Sequence, residues 1–362
     1  MRGRGSLTDA RVMVVGCGAL GNEVLKNLVL CGVGHIFCVD FDRVEEGNLS
    51  RSVLFRPQDA VNGRPKVDVV RERLLEIDGK ADIRTLEGDI VHDVGLGLIK
   101  AMDVVISCVD NRWARFIINR HCIRMDRPWV DGGISVSEGT VRVFVPGANC
   151  YACGLDSVDL AGMKNRVSCA NTVKAVRKTA SAPTTSITAS IVGAVQVQEA
   201  LKIISGDRSD AGRMFYYDGD APASGVAEFK AFDYDCPEHE CWGPVERTAF
   251  SNDMTVSALL DTVCRDKKED VTLLLREDVF VDYVVSRTDG SRLRIMQPGR
   301  RVEAGLPEGS NPCDFYQNEY RTVDRTFPYS GLTLSELGIP ANDVLRFRGG
   351  GRDYYLELDS YE

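Results

Sequence analysis

The chain has 362 residues, of which 44% are hydrophobic, and its formal net charge is -9. This length exceeds what one ordinary hydrophobic core requires, so it predicts two or three domains. The negative charge and the lack of a basic run argue against a nucleic-acid partner. They are compatible with a partner protein that has a basic surface.

The sequence carries no recognisable targeting signal. Residues 1–9 are polar and contain glycine, and no apolar run approaches the roughly 20 residues that cross a bilayer. The twelve cysteines are spread through an α/β pattern, which is typical of buried thiols in a reducing compartment. We therefore expect a cytoplasmic protein with no membrane partner.

A glycine-rich turn follows the first predicted strand. The apolar run from Arg11 to Val15 leads directly into Gly16-Cys-Gly18-Ala-Leu-Gly21 and then into helical periodicity. Gly16 lets the chain reverse, Gly18 lets the backbone approach a phosphate, and Gly21 lets helix and strand pack. The pattern predicts a Rossmann-like nucleotide site, and by itself it fits a nicotinamide or flavin cofactor equally well.

Acidic and basic side chains after the second strand narrow the choice of nucleotide. Asp40 ends that strand about twenty residues beyond the glycines, where a carboxylate accepts from ribose hydroxyls in a dehydrogenase as well. Further polar residues follow that hydride transfer does not need: Asp42, Asn48, Arg51, Lys66, Asp110 and Asn111. Cleavage of a triphosphate needs cations such as Arg51 and Lys66 on the leaving pyrophosphate, and a carboxylate such as Asp110 for Mg²⁺.

At these residues the chain resembles the ThiF/MoeB/HesA superfamily, to which the ubiquitin-activating enzymes belong, from about Arg11 to Cys241. The resemblance implies that ATP and Mg²⁺ are bound, with Asp40 on the ribose and Asp110 on magnesium. It also implies phosphate contacts from three residues: Asn48, Arg51 and Lys66.

The N-terminus departs from the family pattern. Relatives carry an Arg-Tyr-x-Arg-Gln helix that sends an arginine onto the nucleotide of the other subunit in a homodimer or heterodimer. Here only Met1-Arg2-Gly-Arg4-Gly precedes Ser6. The resemblance therefore implies a dimer in which this arginine is missing or is supplied from elsewhere.

The alternation of strands and helices continues beyond the glycine turn. It predicts helices over 67–77, 94–102 and 112–125, a strand over 81–85, a strand ending near Asp131, and an antiparallel strand over 138–146. We expect an α/β fold with a doubly wound, Rossmann-like, mainly parallel sheet.

Two cysteine pairs predict a structural zinc site. Cys150 and Cys153 have knuckle spacing, and Cys236-Pro-Glu-His239-Glu-Cys241 lies far along the chain. Thiolates from distant loops are the usual ligands of such a site. The second pair departs from the family's CxxC, so the fourth ligand is either Cys241, which we prefer slightly, or His239.

A single cysteine between the pairs is a candidate nucleophile. Cys169 lies among five cationic residues: Lys164, Arg166, Lys174, Arg177 and Lys178. Nearby cations stabilise a thiolate, which can attack an acyl-adenylate. The position resembles that of the family's thioester cysteine, although some relatives with a cysteine here only adenylate.

The last part of the chain has a different pattern. After a small-residue-rich helix over 188–204 and two closing strands over 213–218 and 226–232, Gly243-Pro marks a boundary. We predict an adenylation domain over 1–244, with the catalytic-cysteine segment at about 155–185, and a second domain over 245–362.

The second domain mixes strands with two short helical segments, which suits a β-grasp fold. Its Thr-Leu-Ser-Glu-Leu-Gly338 followed by an apolar strand resembles the ubiquitin-fold domain that recruits a conjugating enzyme. Val344-Leu-Arg-Phe-Arg-Gly-Gly350 is similar to the tail of ubiquitin, but the chain continues into another alternating strand, so a hairpin is the simpler interpretation.

The resemblance implies an enzyme that adenylates a ubiquitin-like protein ending in Gly-Gly, takes it as a thioester on Cys169 and passes it to a conjugating enzyme. An activator of a sulfur-carrier protein, which adenylates without a thioester, is the leading alternative. A non-catalytic partner subunit and a NAD-dependent oxidoreductase are the remaining ones.

Overall fold

The computed structural model of the chain describes residues 6–155, 184–221, 223–229 and 231–359. The described residues form two compact units. The first comprises 6–90, 99–155 and the described residues of 184–241, and the second comprises 91–98 together with 242–359.

The first unit is built on a sheet of eight strands. The strands are β1 (Arg11–Val15), β2 (His35–Asp40), β3 (Asp82–Glu87), β4 (Val104–Ser107), β5 (Trp129–Ile134), β6 (Glu138–Phe144), β7 (Arg213–Asp218) and β8 (Ala223–Glu228). The helices between them are α1 (Ala19–Leu30), α2 (Pro57–Val61), α3 (Lys66–Ile77), α4 (Leu96–Lys100), α5 (Arg112–Arg124) and α6 (Ser186–Ile204), and α4 begins within the segment 91–98.

Strand order explains where a ligand can bind. The order is β3-β2-β1-β4-β5-β6-β7-β8, with the first five strands parallel and the last three added in antiparallel fashion. The chain therefore reverses its direction of winding between β1 and β4, and in open α/β sheets ligands bind at such a switch point, beyond the carboxyl ends of the strands. The predicted α/β class with a mainly parallel sheet is confirmed.

Helix α6 packs against α1 at the predicted small residues. A Cβ on Gly193 would lie 2.9 Å from Cβ of Glu23, so only glycine permits this approach. By length and composition α6 is also a candidate membrane span, which the sequence prediction did not anticipate, and 44% of its apolar window is buried inside the protein. Its buried side chains, Val192 and Val197 among them, belong to the core of the first unit.

Strand β8 and helix α4 are two elements whose boundaries differ from the sequence predictions. Strand β8 ends at Glu228, whereas the alternation predicted a strand over 226–232. Helix α4 ends at Lys100 and is shorter than the predicted 94–102. The bounds of β8 are set by its pairing with β7, in which Arg213 lies opposite Glu228. The local periodicity of the sequence carries no information about that pairing.

The described residues 242–359 of the second unit form two smaller sheets and one α-helix. The strands are β9 (Val245–Arg247), β10 (Thr272–Leu274), β11 (Phe280–Ser286), β12 (Arg292–Pro298), β13 (Phe315–Tyr320), β14 (Thr322–Val323), β15 (Val344–Gly349) and β16 (Arg352–Glu357), and the helix is α7 (Val256–Lys267). A five-stranded sheet has the order β14-β10-β15-β16-β9, and a three-stranded sheet has the order β12-β11-β13. In the larger sheet only β9 and β16 pair in parallel.

The ubiquitin-tail-like sequence forms one arm of a hairpin, as predicted. Strands β15 and β16 pair in antiparallel register from Val344 opposite Glu357 to Gly349 opposite Arg352. Gly350 and Gly351 close the turn with φ of 52° and 77°, a region that favours glycine. The second of the two short helical segments expected in this domain, at 332–338, consists of turns and bends and not of a regular helix.

A segment from between β3 and β4 belongs to the second unit. The backbone N–H of Leu96 donates to Oδ1 of the buried Asp343 at 2.8 Å, and that of Gly97 donates to the carbonyl of Asn342 at 2.8 Å. A Cβ on Gly95 would lie 2.3 Å from the carbonyl oxygen of Ala341. The predicted boundary at 244/245 takes no account of this segment, because its partners lie some 250 residues away in sequence.

Candidate functional site

The glycine turn has the geometry that the sequence predicts. Gly16 has φ of 96°, and a Cβ there would lie 2.6 Å from the carbonyl oxygen of Cys108. A Cβ on Gly21 would lie 2.0 Å from the carbonyl oxygen of Gly16, whereas one on Gly18 would meet no atom within 4 Å. Gly18 is the N-cap of α1, so the space beside it is open at the helix end whose free N–H groups can bind an anion.

Asp40 is fixed beside this turn. Its Oδ2 accepts a hydrogen bond from the backbone N–H of Cys17 at 2.6 Å, and its Oδ1 accepts from that of Asp42 at 2.7 Å. Burial raises the pKa of the Asp40 carboxyl, and the Lys66 ammonium acts in the opposite direction. The carboxylate at the end of β2 is therefore oriented next to the glycines, where a ribose would lie.

Lys66 is a buried cation that forms an ion pair with Asp42. Its Nζ lies 2.8 Å from Oδ2 of Asp42, and its backbone N–H donates to the carbonyl of Asp42 at 3.0 Å. Burial lowers the pKa of Lys66, but the negative charges of Asp40 and Asp42 raise it by more than burial lowers it. The pKa of Lys66 therefore lies above its ordinary value. The side chain is therefore positively charged at neutral pH. In this structure Asp42 binds Lys66.

Asn48 and Arg51 lie in the loop before α2. Oδ1 of Asn48 accepts from the backbone N–H of Glu45 at 3.0 Å, which fixes a short 3-10 turn, and the N–H of Arg51 donates to the carbonyl of Asn48 at 3.2 Å. Arg51 is half-buried as a residue, and its guanidinium forms no ion pair within the part of the chain that the structure describes. It is available to an anionic ligand.

Asp110 and Asn111 follow β4, which is the neighbour of β1. Val15 pairs with Ser107, so Asp110 leaves the sheet at the same edge as the glycine turn. Asp110 is exposed, whereas Oδ1 of Asn111 caps α5 by accepting from the N–H of Ala114 at 2.7 Å. The carboxylate of Asp110 is therefore suited to a metal ion, and the observed role of Asn111 is to begin the helix that follows.

Two buried amides that the sequence did not predict hold these loops together. Asn22 donates to the carbonyl of Cys17 at 2.8 Å and accepts from the N–H of Leu54 at 2.8 Å, which ties the glycine turn to the loop after Arg51. Gln196 of α6 donates to the carbonyl of Ser107 at 2.9 Å. The only sequence signal was an amide at an otherwise apolar helix position.

A buried ion network supports the ends of β4 and β5, and it too was missed. Asp131 is fully buried, with Oδ1 2.9 Å from Nε of Arg115 and Oδ2 2.5 Å from a terminal nitrogen of Arg142. Arg115 also donates to the carbonyls of Val109 at 2.8 Å and Gly132 at 3.1 Å. Although burial raises the pKa of Asp131, Arg115 and Arg142 lower it below its ordinary value.

Asp131→Asn should therefore destabilise the first unit by about 3 kcal/mol, because it leaves two arginines without their buried partner. A carboxyl whose pKa is lower in the folded state stabilises above its unfolded pKa, so the wild-type advantage should shrink as the pH falls below about 4. Urea unfolding at several pH values measures both effects. Asp82→Asn is the matched control, since the ion pair of Asp82 with His35 is largely exposed and should contribute less than about 1 kcal/mol. Equal losses for the two variants at neutral pH would contradict the assignment.

Four side chains form a candidate metal centre. The Sγ of Cys150 lies 3.7 Å from that of Cys153 and 3.8 Å from that of Cys236, and the Sγ of Cys153 lies 3.2 Å from Nε2 of His239. All four donor atoms lie within 4.8 Å of one another. A tetrahedral ion with bonds of about 2.3 Å to sulfur separates its ligands by roughly 3.8 Å, so this donor set fits zinc.

The geometry corrects the preferred fourth ligand. Cys241 is exposed, with its Sγ 3.8 Å from the carbonyl oxygen of Arg124, and it is not part of the cluster. His239 takes the fourth position because the short 3-10 turn Pro237–His239 carries its ring back toward Cys153. The ring of Phe232 stacks on that of His239 with centroids 4.4 Å apart.

Two predictions fall outside the described residues. Cys169 and its five cationic neighbours lie between 155 and 184, and Arg2 and Arg4 precede Ser6. The catalytic role of Cys169 therefore stays a prediction, and so does the expectation that the family's N-terminal arginine is missing or is supplied from elsewhere.

Comparison with known proteins decides the family. The ThiF family model matches residues 1–241, about two thirds of the chain and the part that carries both the nucleotide-type site and the Cys/His cluster. The chain belongs to the ThiF family. Residues 242–362 lie outside this match.

The curated relatives that match this range include proteins named as adenylyltransferases and a protein named as a ubiquitin-like modifier-activating enzyme. The chain is 31% identical over 223 residues to the sulfur carrier protein adenylyltransferase of Thermus thermophilus, covering 60% of this chain and 77% of the relative. It is 31% identical over 220 residues to the molybdopterin-synthase adenylyltransferase of Escherichia coli, covering 60% and 82%. It is also 31% identical over 214 residues to ubiquitin-like modifier-activating enzyme 5 of Oryza sativa, covering 55% of this chain and only 48% of that relative.

A solved structure shares the fold of this ThiF-family chain. The crystal structure of Escherichia coli MccB with ATP superimposes with a TM-score of 0.52 at 21% identity, covering 65% of this chain and 67% of MccB. At this identity the likeness shows the fold alone.

Proposed function

We propose that this ThiF-family chain adenylates the C-terminal carboxylate of a small ubiquitin-like or sulfur-carrier protein. The carboxylate attacks the α-phosphorus of ATP, an acyl-adenylate forms, and pyrophosphate leaves. The observation that carries this proposal is the combination, in a ThiF-family chain, of a glycine turn with a buried cation, Lys66, and an oriented carboxylate, Asp40.

The charges of the site suit a triphosphate. Arg51 and Lys66 stabilise the charge that develops on pyrophosphate, and Asp40 accepts from the ribose. Asp110 would hold Mg²⁺, which neutralises phosphate charge when it is bound. Lys66 exchanges Asp42 for a phosphate oxygen, and this exchange costs little because Asp42 is half exposed to water and is rehydrated when released.

The names of the relatives give equal support to two fates of the acyl-adenylate. In the first, Cys169 attacks the acyl carbon, AMP leaves and a thioester forms, which a conjugating enzyme then accepts. In the second, a sulfur donor takes the acyl group and no thioester forms on this chain. The names of the bacterial relatives favour the second, and that of the rice relative favours the first.

The second unit favours the conjugation branch. Helix α7 follows β9, the first strand of the unit, and precedes the other strands. Strand β9 pairs in parallel with the last strand, β16, in a mixed sheet. This arrangement supports the β-grasp-like fold expected of a domain that recruits a conjugating enzyme. Zinc at Cys150, Cys153, Cys236 and His239, a dimeric state and a cytoplasmic location are further parts of the proposal.

Non-reducing gels distinguish the two branches. The chain is incubated with ATP, Mg²⁺ and a panel of small β-grasp proteins that end in Gly-Gly, and pyrophosphate is measured in parallel for wild type and Cys169→Ala. A thiol-sensitive adduct that is absent from Cys169→Ala supports conjugation through that cysteine. Pyrophosphate release without an adduct supports the sulfur-carrier branch, an adduct that survives in the variant assigns the thioester to another cysteine, and neither product with any member of the panel contradicts the adenylation.

A further inference from the structure

The three-stranded sheet of the second unit has one face that is rich in arginine and tyrosine. In register, Tyr283 of β11 lies between Arg294 of β12 and Asn318 of β13, and Val285 lies between Arg292 and Tyr316. Residues that pair across strands point to the same side of a sheet. With the adjacent turn residue, these side chains define the Arg/Tyr face: Tyr283, Val285, Arg287, Arg292, Arg294 and Tyr316.

The opposite side of this sheet is the one that packs. Val284 and Ile295 lie on it and form a small apolar core with Val302. Side chains of neighbouring positions alternate across a strand, so the Arg/Tyr face is directed away from that core. All three of its arginines are exposed, and Tyr316 is 60% exposed.

Two of the three arginines of this face, Arg287 and Arg292, stack on its tyrosines instead of pairing with acids. The guanidinium of Arg287 lies 4.2 Å from the ring centroid of Tyr316, and that of Arg292 lies 5.1 Å from that of Tyr283. None of the three forms an ion pair within the described residues, whereas other arginines of this unit, such as Arg300 and Arg346, do.

Two carboxylates near the face, those of Asp282 and Asp289, accept hydrogen bonds from other groups and form no ion pair with its arginines. Asp282 is 3% exposed and accepts hydrogen bonds from Nδ2 of Asn318 at 2.9 Å and from the hydroxyl of Tyr329 at 3.0 Å. Asp289 accepts from the N–H and hydroxyl of Ser291 within the hairpin turn. Among the residues that the structure describes, the face thus presents three positive charges that no ion pair neutralises, on a chain whose formal net charge is -9.

We infer that the Arg/Tyr face docks an acidic segment of a partner protein. Arginine and tyrosine are among the residue types that are enriched at the energetic hot spots of protein interfaces, and an acidic segment supplies the complementary charge. Guanidiniums that are already stacked on rings lose little side-chain freedom on binding. A nucleic acid fits less well, because three cations neutralise few phosphates and the whole chain is acidic. This surface is independent of the adenylation chemistry.

The test uses the full chain and a fluorescein-labelled peptide of alternating glutamate and valine, followed by fluorescence anisotropy. Peptides with lysine in place of glutamate and an oligothymidylate of similar length serve as comparison probes. We expect the acidic peptide to bind with a Kd on the order of 100 μM at low salt and more weakly as salt rises. Arg292→Glu with Arg294→Glu should weaken this binding by about tenfold or more.

The matched control is Arg265→Glu with Arg352→Glu. These side chains are 73% and 72% exposed in the same unit but lie off the Arg/Tyr face, so the affinity should change by less than about twofold. If the variant with Arg292→Glu and Arg294→Glu does not fold, Tyr316→Ala, at an exposed position of the same face, should still weaken binding severalfold. Absence of binding by the acidic peptide, equal losses in both double variants, or tighter binding of the oligothymidylate would overturn the inference.

Discussion

Lys66→Ala should lower the rate of ATP–pyrophosphate exchange, measured with an active carrier protein, by on the order of a hundredfold to a thousandfold. Lys66 is the buried cation of the site, and the raised pKa that Asp40 and Asp42 give it keeps it charged at neutral pH. A cation that contacts the leaving pyrophosphate stabilises charge that develops only in the transition state, so its removal affects the chemical step more than nucleotide binding.

Lys26→Ala is the matched control for this prediction. Lys26 is also ion-paired, with Glu23 at 2.5 Å, but it lies on α1 and is 30% exposed. We expect exchange within about twofold of wild type and an unchanged circular-dichroism spectrum for both variants. An exchange rate for Lys66→Ala that matches that of Lys26→Ala would remove Lys66 from the chemistry.

The second large effect concerns the Cys/His cluster. Wild-type protein should contain close to one zinc per chain by mass spectrometry of the metal, and His239→Ala should lose it together with roughly 10 °C of thermal stability. The physical reason is that a zinc ion held by this cluster would join Cys150 and Cys153 to the distant residues Cys236 and His239, so its binding free energy would be folding free energy.

Two further variants make this result specific. Cys241→Ala should keep zinc and stability, because its sulfur lies outside the cluster. His239→Cys should also keep zinc, since four thiolates form an ordinary structural site. Loss of zinc from Cys241→Ala, together with retention of zinc by His239→Ala, would show that Cys241 is the fourth ligand, as the sequence analysis preferred.

Much of the first unit could be predicted because its signals are local. The apolar run of β1, the glycines after it and the acid at the end of β2 each follow from short-range geometry, and their order along the chain specifies which strand ends meet. The spacing of Cys150 and Cys153 similarly predicts one half of a metal cluster. The choice between His239 and Cys241 could not be made, because it depends on the direction of a 3-10 turn.

What the sequence missed depends on contacts between distant residues. The pairing of Asp131 with both Arg115 and Arg142 requires knowledge of which strands adjoin, and a buried arginine has the same local pattern as an exposed one. The segment 91–98 has the periodicity of a connecting helix, yet Asp343, far along the chain, accepts its hydrogen bond. The Arg/Tyr face is visible only once the register of β11, β12 and β13 is known.

Transfer of oxygen-18 from a labelled carrier protein to AMP is the most direct measurement of attack at the α-phosphorus. When both oxygens of the carrier's terminal carboxylate are labelled, the acyl-adenylate retains one of them between carbon and phosphorus, and cleavage at the acyl carbon leaves it on AMP. We predict AMP with one labelled oxygen and unlabelled pyrophosphate. AMP without label, or ADP with labelled phosphate, would contradict adenylation of the carboxylate by this chain.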